Sequence, residues 1–197
     1  MISKIKLIIF LSTIFIANAF GSDIEIRKAI LFDKTDTVRS YLNNGLEVNK
    51  VIDRYTLLGI AVNNNALCVA ELLILRGAEC NKKLGSPTSP LFWSIASGHI
   101  LMTYLLLSRG GAKPNFIDLY SALQIRNNSF IKLLIEFNAD IHQKHPDTNR
   151  TLEEVAESKG FQDKLEILKN AEKIKKEGKL KQKLEKELKK ILKEKCK

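Results

Sequence analysis

The sequence predicts an all-α fold made by translational repetition: helix-turn-helix units stacked into a solenoid, joined by hairpin loops and followed by a charged C-terminal helix. Three observations lead there. Glycines end leucine-rich stretches at a near-constant interval, with 32 residues from Gly45 to Gly77 and 33 from Gly77 to Gly110. An asparagine follows each glycine at a similar offset, at Asn49, Asn81 and Asn115. A helix-opening block precedes the later stretches, clearest in Thr56-Leu57-Leu58-Gly59-Ile60-Ala61 and Ser89-Pro90-Leu91-Phe92-Trp93-Ser94. A fixed period of this length marks repeat architectures, in which each unit buries its apolar face only against its neighbours.

The N-terminal segment reads as a secretory leader over residues 1–19. Lys4 and Lys6 make a short positive region, Leu7 to Ile16 an apolar stretch, and Ala17-Asn18-Ala19 a small-x-small cleavage pattern. The apolar run from Ile5 to Ala17 is short for a bilayer span, which needs about 20 residues. Cleavage after Ala19 is the expectation, and an uncleaved membrane anchor is the alternative. The chain is therefore expected to be exported, either periplasmic or secreted.

The body, 20–170, carries the repeats. The texts YLNNGLEVN (41–49), LILRGAECN (73–81) and LLSRGGAKPN (106–115) are three copies of one helix end. A fourth, LIEFNADIH (134–142), puts Asn138 where the others have Gly, a substitution the left-handed residue after a helix tolerates. Thr or Ser opens each block as a helix cap, and Pro90 suits a first helical turn. Leu72, Leu73, Leu105, Leu106, Leu133 and Leu134 recur at equivalent places and are expected in the core.

These blocks resemble the ankyrin repeat family, whose units of about 33 residues open on a T-P-L-H-x-A pattern. The Gly98-His99 pair matches the family's G-H turn, and the Gly-to-Asn stretches its G-A-D-V-N close. The resemblance spans about 23–170 and implies units at 23–50, 53–82, 86–115 and 118–143, with a charged capping unit at 148–170. The fourth unit is short, its first helix or its hairpin being trimmed, and the third carries one extra residue at Gly110-Gly111. The family resemblance implies a non-catalytic module that binds another protein through loop tips and the concave helix face. At the tips, Asp53, Arg54, Tyr55, Lys82, Lys83, Phe116, Asp118 and Tyr120 are the candidate partner-binding residues. Exposed Tyr, Phe and Arg suit interface hot spots, while packing between adjacent loops is the competing role for the aromatic residues.

Little in the sequence points to chemistry. No phosphate-cradling glycine loop, nucleophile elbow or H-E-x-x-H is present, and no catalytic residue, cofactor or metal site is expected. The histidines are His99, at the turn, and His142 and His145, on a loop without metal-ligand spacing. Of the cysteines, Cys80 stands where other units have Val48 and Ile141 and is expected to be a buried small hydrophobe. Cys68 lies on the second helix of its unit, and Cys196 in the tail is positioned to join two chains.

The formal net charge is +10, but the basicity sits at the ends: residues 171–197 contribute +7 and the first nineteen +2, leaving the body nearly neutral. The tail is Lys, Glu and Leu, all strong helix formers, with Ile174, Leu180, Leu184, Leu188 and Ile191-Leu192 in one stripe and Gly178 as a break. Four fates are open to it. It folds back on the capping unit, pairs with another helix, lies on an anionic membrane, or stays solvated. Nucleic acid is a poor fit, since no Arg or aromatic residue interleaves the lysines. An envelope- or membrane-associated structural protein working through this helix is the alternative to the binding module.

Overall fold

A computed structural model describes residues 23–82 and 88–196; the expected leader at 1–19 and the tip residue Lys83 lie outside them. The fold is all-α and ankyrin-like, with a single two-stranded hairpin among the described residues. A first helix, α1, spans 23–31. After it come α2 (Thr35–Asn43) and the hairpin of β1 (Val51–Ile52) and β2 (Tyr55–Thr56), paired Val51 to Thr56 and Ile52 to Tyr55. Four helix pairs follow: α3 (Leu57–Asn63) with α4 (Leu67–Leu75), α5 (Pro90–Ala96) with α6 (Ile100–Ser108), α7 (Phe116–Gln124) with α8 (Ser129–Glu136), and α9 (Leu152–Ser158) with α10 (Gln162–Lys169). The tail is α11 (Ala171–Glu177) and α12 (Lys179–Lys195).

Two layers result. The first helices α3, α5, α7 and α9 pack side by side, and the second helices α2, α4, α6, α8 and α10 form the other layer. Each first helix starts on a side chain that satisfies an orphan N–H. Thr56 accepts from the Gly59 amide at 3.0 Å and Ser89 from the Phe92 amide at 3.2 Å. Thr151 with Glu154, and Asn115 with Asp118, make reciprocal capping boxes. The six repeated leucines are all buried, five of them completely.

The asparagines that revealed the period tie neighbouring units together. Asn49 Oδ1 accepts from the Glu79 amide at 2.9 Å, and Asn81 Oδ1 from the Lys113 amide at 3.0 Å. Asn115 breaks this pattern because it caps α7 instead. That resolves the short fourth unit: the hairpin loop is lost, and α7 is a full nine residues starting right after Asn115. Asn138 takes the left-handed conformation (φ +60°) expected of it. At the third junction the left-handed residue is Gly111, not Gly110. Gly110 is glycine for want of space: a Cβ there would lie 2.5 Å from Cys80 Sγ and 2.7 Å from the Leu106 carbonyl oxygen.

The tail folds back, and it goes further than the capping unit. Left-handed Gly178 (φ +54°) breaks the tail between α11, which packs on α8, and α12, which packs on α8 and α6. The Glu136 carboxylate, at the end of α8, accepts from the Leu180 and Lys181 amides at 3.0 and 2.6 Å and so caps the start of α12. Leu184 and Leu188 are buried, and the Tyr104 hydroxyl of α6 donates to Glu185 at 2.8 Å. At the far end Cys196 forms a disulfide with Cys68 of α4, their Cα atoms 5.2 Å apart. The expectation that Cys196 joins two chains is corrected: folding back of α12 delivers it to a cysteine of its own chain. The helix is thus a strap over the second-helix layer, held at both ends. It explains why α6 is apolar nearly all round, as a helix covered on both sides should be. Among the described residues, no helix is long and apolar enough to cross a membrane.

Candidate binding surface

Helix α12 covers α6 and α8 and leaves the face of the first helices and its loop tips open; Phe32 and Leu75 are further large apolar side chains that stay exposed. Register along it is set by Ala61, Ser94, Ala122 and Ala156, which are completely buried at equivalent points of α3, α5, α7 and α9. Two residues earlier stand Gly59, Phe92, Tyr120 and Glu154. Tyr55 sits beside Gly59, its side chain 3.8 Å from where a Cβ there would be. Phe92 and Trp93 meet edge to face with centroids 5.5 Å apart. Tyr55 is 43% exposed and Trp93 38%, while Phe92 and Tyr120 are half-buried. An aromatic residue or pair therefore stands at this register in three successive units, Tyr55 reaching it from β2, while the last unit has Glu154.

The tip residues sort into three groups. Asp53 and Arg54 are the two central residues of the β1–β2 turn, both left-handed (φ +48° and +72°), as a two-residue hairpin requires. Asp53 is ion-paired with Arg27 of α1, and Arg54 and Tyr55 are exposed beside it. Lys82 is half-buried and lies 3.7 Å from Glu79. Tyr120 keeps one edge open; its hydroxyl accepts from Lys159 Nζ at 3.3 Å, and the same ammonium lies 5.4 Å from its ring centre.

Phe116 and Asp118 are corrected. Phe116 is only 5% exposed, because α7 starts there and turns the ring inward, near Tyr120 (6.3 Å between centroids) and against the edge of His145 at 5.2 Å. Asp118 is completely buried; its carboxylate accepts from the Asn115 amide at 2.9 Å and the Ser89 hydroxyl at 3.4 Å. Both hold α7 in place, and their burial is at odds with the expectation that they face outward at the tip. Sequence reasoning missed Phe92 and Trp93 as surface residues, since they lay inside a block read only as a helix opening. The sole Trp at a register point where other units have Ile60 and Ser121 was the available signal.

The remaining polar groups serve the fold. His145 Nδ1 accepts from the Asp147 and Thr148 amides at 3.1 and 3.3 Å. His99 Nδ1, at the turn before α6, is buried without a hydrogen-bond partner among the described residues. Cys80 is buried, and burial pushes its thiol up to about 11, which keeps it protonated and unreactive.

Helix pairs, asparagine ties and capped first helices define an all-α, ankyrin-like helical-repeat fold. The chain is 28% identical over 167 residues to a Rickettsia felis protein named as an ankyrin repeat protein, a match covering 64% of this chain and 74% of that relative. No family model matches the chain.

Proposed function

We propose that this chain is a non-catalytic protein–protein interaction module acting outside the cytoplasm, which holds its partner on the first-helix face. The observation that carries the reading is the row of Tyr55, Phe92–Trp93 and Tyr120. These are large, stiff, amphipathic side chains left open at one register of successive units. Such residues dominate interface energetics, because each buries much area at little entropic cost. Arg54 is exposed at the hairpin tip beside the row, which suits a partner bearing an acidic residue next to an apolar centre. The similarity to an ankyrin repeat protein supports the same use of the fold.

Two features support export. The leader pattern at 1–19 is one. The Cys68–Cys196 disulfide is the other, since such bonds persist in oxidising compartments. The test is affinity capture of the exported chain, with recovered partners compared between the native protein and Trp93→Ala, Tyr55→Ala and Tyr120→Ala. A true partner drops by tenfold or more with Trp93→Ala at unchanged thermal stability, while Lys190→Ala on α12 leaves it bound. Equal recovery with all three aromatic variants would remove the reading.

A further inference from the structure

The strap presents a second surface, on the opposite layer from the aromatic row. We propose that the outward ridge of α12 docks the protein on the surface of an anionic phospholipid bilayer, by charge alone and without insertion. Helix α12 has no free apolar face: Leu184 and Leu188 are buried, and Ile191 and Leu192 are half-buried against the core. Inserting as an amphipathic helix, or pairing with another, would require it to leave the stack. Its ends are fixed by the Glu136 cap and the Cys68–Cys196 bond.

Fixing the helix sorts its charges. Glu185 turns inward to Tyr104 and pairs with Lys189, and Glu177 pairs with Lys179. Lys183, Lys186, Lys190 and Lys193 face out at three- and four-residue spacing and form no ion pair among the described residues. Glu187 and Glu194 are the exposed acids of α12 beside them, and Asp163, Glu166 and Glu177 line the groove that Lys183 borders. The four lysines span about 15 Å of one straight helix, since each residue rises about 1.5 Å. Basic clusters on a helix bind anionic leaflets in this way, each lysine near the surface strengthening attachment about fivefold. Nucleic acid fits less well. No Arg on α12 offers a bidentate phosphate clamp, and no aromatic residue there stacks a base.

The experiment is co-sedimentation of the purified chain with vesicles of phosphatidylcholine alone and of phosphatidylcholine with about 30% phosphatidylglycerol, at about 0.1 M and 0.5 M salt. The native chain should favour the anionic vesicles by at least tenfold at the lower salt and lose that preference at the higher. Lys183→Glu with Lys186→Glu and Lys190→Glu should cut binding to anionic vesicles about 100-fold or more with helicity intact. Native chain and triple variant share the same leader, so the difference between them on one vesicle type reads α12 alone. Equal partition into both vesicle types, or full retention by the triple variant, overturns the proposal. So does tighter binding to a DNA duplex than to the anionic vesicles at the same salt. Trp93→Ala should leave vesicle binding unchanged.

Discussion

Cys68 near the start of α4 and Cys196 just beyond the end of α12 are joined across 128 residues of chain, so the last helix is pinned to the second repeat pair. A bond closing so long a segment restricts the unfolded chain strongly. Replacing Cys196 with Ser should cost about 2–5 kcal/mol in urea unfolding. Adding reductant to the native protein should give the same loss, and reductant should do nothing further to the variant. A reductant effect on Cys196→Ser would place the effect elsewhere.

Glu136 serves α12 rather than its own helix, so its removal should loosen the strap before the stack. Glu136→Ala strips the acceptor from the Leu180 and Lys181 amides and should cost about 1–2 kcal/mol. Hydrogen exchange should accelerate over 179–188 while α3 to α6 remain protected. Uniform acceleration across the chain would contradict this division.

Leu188 is completely buried under the strap and Leu106 within the second-helix layer. Each Leu→Ala change should cost about 2–5 kcal/mol by loss of contacts plus the cavity left behind. They should differ in reach: Leu188→Ala leaves the repeat stack cooperative, and Leu106→Ala lowers the whole unfolding transition. Calorimetry of the two variants separates these outcomes.

Gly110→Ala should be destabilising by about 1–3 kcal/mol, because the new Cβ meets Cys80 Sγ and the Leu106 carbonyl oxygen. Cys80→Ala in the same chain should recover part of the loss and not all of it, since the backbone contact remains. A double-mutant cycle reads the coupling directly.

Two groups give the protein an alkaline limit. Burial raises the Cys80 thiol from about 9 to about 11. Burial also raises the Tyr104 phenol to about 12, assisted by the bond to Glu185. An acid whose folded pKa is raised binds its proton more tightly when folded, so its contribution is complete below the unfolded pKa and is lost as pH rises. Stability should therefore hold up to about pH 9 and fall from there toward pH 11, with Tyr104 adding to the fall between about 10 and 12. Cys80→Ala should flatten the first part of that decline in urea titrations at stepped pH. In the native state below pH 9, iodoacetamide should leave Cys80 unmodified.

Much of the fold was legible because it is local. Helix caps, left-handed stops and the apolar rows repeat within single units, so Thr56, Ser89, Asn138 and the paired leucines carry their meaning in short windows. Asn49 and Asn81 betrayed the period by spacing, though their role as ties between units appeared only in the structure. The binding surface was less legible, because a tip residue and a helix-start residue look alike in one dimension. Losing one hairpin moved the start of α7 back onto Asn115 and turned Phe116 and Asp118 inward, while Phe92 and Trp93 were left on the face.

By itself the sequence determined the repeating helix pairs, their caps and stops, and which rows are buried, for these depend on neighbours three to thirty-odd residues away. Only tertiary structure decided where the last helix goes and what it covers. That choice rests on contacts across the whole chain: Leu188 against the second layer, Glu136 under the start of α12, and Cys196 on Cys68. A Lys–Glu helix with one apolar stripe fits many surfaces equally well, and the one it takes is set by where the stack leaves an apolar gap and an unpaired thiol.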